Sequence, residues 1–146
     1  MATRDYSSNR NKVVQALANK LKLIDGTGEW LTNVNGKVFP RLRFWDEIEE
    51  TPEINLSAGN ETREYNGGGL RWRDLQVTIR VYVEHEEDPQ NVLGLVLQDV
   101  ETSMEDPTPI KYYDTRNVEH QIVQVTIVSI STDEGALAPV GVGEMV

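Results

Sequence analysis

The amino-acid sequence predicts an α+β fold: a mainly antiparallel β-sheet with two α-helices packed on one face, plus a β-hairpin or arm. Three observations carry that prediction. From Asp74 to Glu84, Leu75, Val77, Ile79, Val81 and Val83 alternate with Gln76, Thr78, Arg80, Tyr82 and Glu84, the period-two pattern of a strand with one apolar face. Asn11–Ile24 and Pro89–Met104 instead repeat apolar residues at spacings of three and four, as amphipathic helices do. The order is helix, strands, helix, strands, without the strand and crossover-helix alternation of a parallel sheet, so neighbouring strands pair as hairpins and both helices cover one face.

The first helix presents Val13, Val14, Leu17, Leu21 and Ile24 on one stripe. Ser7 or Ser8 is placed to cap it, and Asp25-Gly26-Thr27-Gly28 stops it, because glycine tolerates the left-handed conformation that ends helices. Asn35-Gly36, a dipeptide favoured in tight turns, lies between Trp30-Leu31 and Val38–Trp45 and predicts a short hairpin or extended arm. After the acidic run Asp46–Glu53, Ile54, Leu56 and Ala58 alternate as a half-buried strand, which leads into a loop from Gly59 to Gly69. The three glycines Gly67–Gly69 have no side chains to pack; a phosphate-cradling loop is discarded, because no Lys-Ser/Thr follows them and the next element is a strand. In Asp74–Glu84 a slip of one residue would bury Arg80 and Glu84, so the register is well specified. Asp88 caps the second helix, Pro89 occupies its first turn, and Val92, Leu93, Val96, Leu97, Val100 and Met104 form its stripe. Asp106–Pro109 ends it. Tyr112-Tyr113 and His120–Ile130 read as strands around a turn near Thr115–Asn117, and Val140–Val146 is a last apolar run that stops at the chain's end.

A chain of 146 residues supports one substantial core and is short for two domains of ordinary size, so residues 1–146 are read as a single domain. A formal net charge of -10 disfavours nucleic-acid binding as the main task, since phosphate attraction needs clustered Lys and Arg. No apolar run approaches the roughly 20 residues of a membrane helix, and MATRDYSSNR lacks the apolar centre of a signal peptide, so the chain is expected to stay where it is made. There are no cysteines, hence no disulfide framework and no thiolate metal site.

The sequence carries no recognisable catalytic, cofactor or metal site. His85 stands among Glu84, Glu86 and Glu87, but adjacent residues on an exposed turn rarely converge on one ion, and a solvated acidic turn is the simpler reading. His120 sits at the start of a strand, with no nucleophile pattern beside either histidine. Asp46, Glu47, Glu49 and Glu50 resemble a solvated loop more than an acid and base pair. The tryptophans and tyrosines are better suited to core and subunit contacts than to a ligand platform. Arg71, Trp72 and Arg73 make a basic and aromatic patch which, in so acidic a chain, fits the carboxylates of another subunit.

One segment remains. Val128–Gly141, with Ser131-Thr-Asp-Glu-Gly135 and Ala138-Pro139 as its most specific part, lies between a strand and the final apolar run. It resembles the corresponding segment of tail terminator proteins from T5-like bacteriophages with long non-contractile tails; over the rest of the chain the order of elements is similar. The Trp30–Glu50 segment matches no motif of that family. The resemblance implies a ring, a hexamer, that caps the tail tube, stops its polymerisation and forms the joining surface for the head connector. It implies as partners other copies of the chain, the major tail tube protein and a head-tail connector protein, with DNA passing through the lumen without specific binding and no membrane. It also implies a place at the head-proximal end of the virion tail, with assembly in the host cytoplasm, and no enzymatic activity. An acidic lumen would repel DNA over a Debye length of about 8 Å. As a turn, Asp133 and Glu134 before Gly135 with Pro139 at the exit form a shaped loop between adjacent strands. The expected subunit or tube contacts are Asp133, Glu134, Leu137, Pro139, Arg63, Arg71, Trp72 and Arg73. Two other classes stay open at this stage: another head-tail completion protein of similar fold, and a small enzyme or ligand-binding module built on His85, His120 and nearby carboxylates.

Overall fold

The computed structural model describes residues 8–34, 36–41, 43, 47–48, 51–65, 71–85, 87–106, 110–113, 116, 118–122, 125–132 and 140–145. Two helices, α1 (Asn9–Leu21) and α2 (Pro89–Glu105), accompany seven strands: β1 (Val38–Phe39), β2 (Glu53–Tyr65), β3 (Arg71–Glu84), β4 (Ile110–Tyr113), β5 (Glu119–Ile122), β6 (Ile130–Thr132) and β7 (Val140–Met145). The main sheet has the order β1-β2-β3-β7-β6, and β4-β5 form a separate hairpin. Every pair is antiparallel except β1 with β2.

One face of the main sheet carries the core. Ile54 lies opposite Val81, Leu56 opposite Ile79, and Val38 opposite Ile54, which puts these side chains on one side. They form a single buried cluster with Val14, Leu17 and Leu21 of α1 and Leu93, Val96, Leu97 and Val100 of α2. α1 packs on β2 and β4, and α2 on β3 and β7. The helices therefore share the apolar face, as the strand pattern requires.

The caps follow the sequence closely. Ser8 Oγ accepts the Asn11 N–H at 3.1 Å, and Asp88 Oδ1 accepts the Asn91 N–H at 3.1 Å with Pro89 just inside α2. α1 ends at Leu21, short of Ile24, whose N–H donates to the Leu21 carbonyl and whose fully buried side chain belongs to a turn. Gly26 and Gly28 then take φ of 80° and 62°, where a Cβ would be strained. Thr27 donates its hydroxyl and its N–H to Asp25 Oδ1, at 2.6 and 2.9 Å, and those bonds, the side-chain one foremost, hold the Asp25 carboxyl below its ordinary value.

Three sequence expectations change. No hairpin forms about Asn35-Gly36 among the described residues: Val38 and Phe39 pair in parallel with Ile54 and Asn55. Apolar Val38 gains more by joining the core beside Ile54 than by pairing with the polar segment before it. Second, the loop expected from Gly59 is strand. β2 runs on to Tyr65 across an irregularity between Ala58 and Glu61, and β3 begins at Arg71; Gly67–Gly69 lie outside the described residues. Third, the extended run expected to Ile130 stops as β5 at Ile122, and β6 starts at Ile130. The antiparallel pairing of β6 with β7, Ile130 opposite Met145 and Thr132 opposite Gly143, does agree with a loop between adjacent strands.

Candidate assembly surface

β2 and β3 form a long hairpin whose two halves differ. At its root, Ile54, Leu56 and Val81 are fully buried. Beyond Ser57 the strands leave the helices behind: Ala58, Gly59, Asn60, Thr62, Arg63, Asp74 and Gln76 are exposed, while pairing continues from Glu61 opposite Leu75 to Tyr65 opposite Arg71. The result is an arm held by backbone pairing, with most of its described side chains exposed. A β-bulge between Ala58 and Glu61 marks the change, as expected where a strand bends out of a sheet. The Arg10 guanidinium donates to the Gly59 carbonyl, tying α1 to the base of the arm.

Of the residues expected to make contacts, Arg63 lies on this arm, its guanidinium 3.8 Å from Glu61. Arg71, Trp72 and Arg73 are at the start of β3, where the structure describes their backbone alone. Asp133, Glu134, Leu137 and Pro139 lie outside the described residues. The arm thus brings Arg63 and Arg71–Arg73 together, with Arg63 directly opposite Arg73.

The reverse face of the sheet root holds a polar cluster that sequence reading missed. Arg43, in the segment joining β1 to β2, places its guanidinium 3.3 Å from Glu53 and over the Phe39 ring at 4.1 Å. Asn55 donates to Glu53 at 3.1 Å, and the Tyr82 hydroxyl donates to the Arg43 carbonyl at 3.3 Å. Glu53, Asn55 and Tyr82 are all buried. Tyr82, expected on the polar side of its strand, therefore sits beneath this segment. The signal in the sequence was the alternation of Glu53 and Asn55 with Ile54 and Leu56, which assigns them to the opposite face. A second buried carboxylate, Asp99 of α2, accepts the Leu31 N–H, the Thr32 N–H and the Thr32 hydroxyl at 2.6–3.1 Å. Its place three residues after Val96 and four before Ser103 puts it on the buried stripe.

The reactive candidates are engaged structurally. His85 Nδ1 accepts the N–H groups of Glu87 and Asp88, at 3.2 and 2.9 Å, shaping the entry to α2. The His120 ring stacks on Tyr112 with centroids 5.3 Å apart. Glu47 lies 3.1 Å from Arg41, while Asp46, Glu49 and Glu50 are outside the described residues. Among the described residues no three His, Asp or Glu side chains are grouped closely enough to hold a metal, and no helix is long and apolar enough to cross a membrane. A shallow groove beside α1, lined by Arg10, Asn11, Val14, Arg41 and Leu56, presents no acid and base pair.

The described residues thus form an α+β unit from which a two-stranded arm projects. The model of the bacteriophage tail tube terminator protein family matches residues 6–146, and the chain belongs to that family. It is a component of the phage tail with a tail terminator role. The tail tube terminator protein p142 of Escherichia phage T5 is 29% identical over 144 residues, covering 94% of this chain and 89% of that protein.

Proposed function

We propose that this chain, folded as one domain over residues 1–146, closes the tail tube as a ring of identical subunits, a hexamer at the head-proximal end. One face of the ring stops further addition of tube subunits and the other receives the head-tail connector. The observation that carries this reading is the arm, a preformed hairpin that leaves the core and displays Arg63 on an acidic chain. A hairpin standing free of its own core is suited to lie against a neighbour, because its strands are already ordered before contact and little further chain entropy is lost. The chain acts without catalysis: His85 is committed to a turn and His120 to a ring stack. Assembly takes place in the host cytoplasm, and DNA crosses the ring's lumen past acidic side chains without specific binding.

Electron microscopy of tails made with and without the chain tests this. Overlong tubes in its absence, restored to one length by added protein, are the expected result. Tubes of normal length that fail to join heads would instead make it a connector. Neutralising the exposed acids that line the ring should slow DNA ejection; unchanged ejection removes the electrostatic part of the reading.

A further inference from the structure

β6 is the outer strand of the main sheet, and its composition is unusual for an exposed edge. From Gln121 to Thr132 the sequence contains no charged residue, no proline and no glycine, although 26% of the chain is charged. Val125 and Ile127 turn inward and pack against the core, whereas Val128 and Ile130 are 78% and 42% exposed. Exposed edges in soluble proteins are normally blunted by lysine, proline or inward charges, because an unpaired row of N–H and C=O groups beside β-branched side chains templates pairing with another chain. Among the described residues Val128–Thr132 carries no lysine, proline or inward charge, and β6 is blunted only by its length of three residues. The edge reads as one that is covered in the working assembly.

The same chain offers a matching strand. On the side of β2 away from β3, β1 pairs only with Ile54 and Asn55, so among the described residues no strand flanks Glu61–Tyr65 of the arm. β6 is a strand over Ile130–Thr132 alone, and Glu61–Tyr65 of the arm, about 17 Å at about 3.4 Å per residue, is long enough to run past it. Glu61–Tyr65 carries two carboxylates and one guanidinium, with Arg63 beside Glu61, and it meets a strand that has no charge to oppose it. Sheet order decides between two ways of using these edges. β6 and β2 border opposite sides of the sheet, so joining them is a head-to-tail contact that repeats and can close into a ring; joining β6 to β6 would end in a two-fold dimer.

We infer that Val128–Thr132 of one copy is covered by the arm of the next, with Glu61–Tyr65 adding a strand beside β6 so that the sheets of neighbouring copies are continuous around the ring. This rests on the ring proposed above, and it assigns the ring's contact to particular strands.

The absence of cysteine makes the test clean. Four double variants, Ser129→Cys or Ser131→Cys each combined with Glu61→Cys or Thr62→Cys, are supplied to a phage lacking the gene. Tails are purified, oxidised and run without reductant. At least one combination should give a ladder of disulfide-linked copies that collapses to monomer on reduction. If all four enter tails and none gives a ladder, or if the cross-link runs to the tube subunit, the strand assignment is overturned while the terminator role stands. If the unmodified chain is itself absent from tails, both readings fall. Independently, Ile130→Lys should keep the thermal unfolding of the isolated chain and lose incorporation into tails; normal incorporation of that variant overturns the inference.

Discussion

The two ends of the β2–β3 hairpin obey different rules although the strands are continuous. At the root, Ile54, Leu56, Ile79 and Val81 face two helices, and Glu53, Asn55 and Tyr82 are buried on the reverse side, so both faces are covered. In the arm most described side chains reach solvent, and the pairing from Glu61 to Tyr65 persists without a core. Two-stranded hairpins are marginal in water by themselves, so the arm borrows its order from the root and contributes little to folding. Stability and assembly are thereby separated along one element: substitutions at the root should unfold the chain, and substitutions in the arm should leave a folded chain that fails to assemble.

The largest expected effect is at the root. Leu56→Ala removes a fully buried side chain from the middle of the cluster and should cost about 3–5 kcal/mol, read as a lowered midpoint in urea with an unchanged slope. A loss under about 1 kcal/mol would mean that the root is no better packed than the arm. Arg43→Ala comes next. It leaves the Glu53 carboxylate, 2% exposed, with Asn55 but without its cation, and removal of one partner from a buried pair costs about 3 kcal/mol. Because the pair holds the segment between β1 and β2 on the reverse face, hydrogen exchange should rise at Tyr82 and its neighbours and stay unchanged in the arm. Asp99→Asn is smaller, about 2 kcal/mol, since an amide nitrogen faces a donor where an oxygen accepted one. Its signature is local, a loosening of Leu31 and Thr32.

The same division explains what could be read from the sequence. β3 and α2 were legible because each has a buried side and a polar side, and the pattern of burial is written directly as a period. Asp88-Pro89 marked the start of α2 through a cap that needs no tertiary partner. Glu61–Tyr65 looked like loop for the opposite reason: a strand with neither face in a core is under no pressure to alternate, and Gly59-Asn60 resembles a break. The parallel pairing of Val38 and Phe39 with β2 was hidden because it depends on a long-range choice between partners that no local spacing encodes. The sequence singles out neither Asp99 nor Glu53, which stands there only as the end of an acidic run. Their position on a buried stripe was visible, but the donors that satisfy them, from Leu31, Thr32 and Arg43, come from segments without periodicity. Arg63 and the Arg71–Arg73 patch stand apart in the sequence, and only the hairpin register places them on one projection.

The smallest effect on stability, and the sharpest test of the comparison, comes from removing the arm. Ala58 pairs with Val77, so replacing residues 59–76 by an Asn-Gly turn joins two positions already opposed in the sheet. The turn closes a shorter loop at lower entropic cost, which offsets the loss of the Arg10 bond to Gly59 and of the contacts of the half-buried Glu61 and Leu75. The unfolding free energy should therefore stay within about 1 kcal/mol of the full chain, the range of changes made away from a core. A tail terminator that had lost its contact element would nevertheless leave tubes overlong. If the shortened chain unfolds, the arm supports the core and the division drawn along the hairpin is wrong. If it folds and still limits tube length, the contact with tube and neighbour lies elsewhere, and the loop between β6 and β7 becomes the next segment to remove.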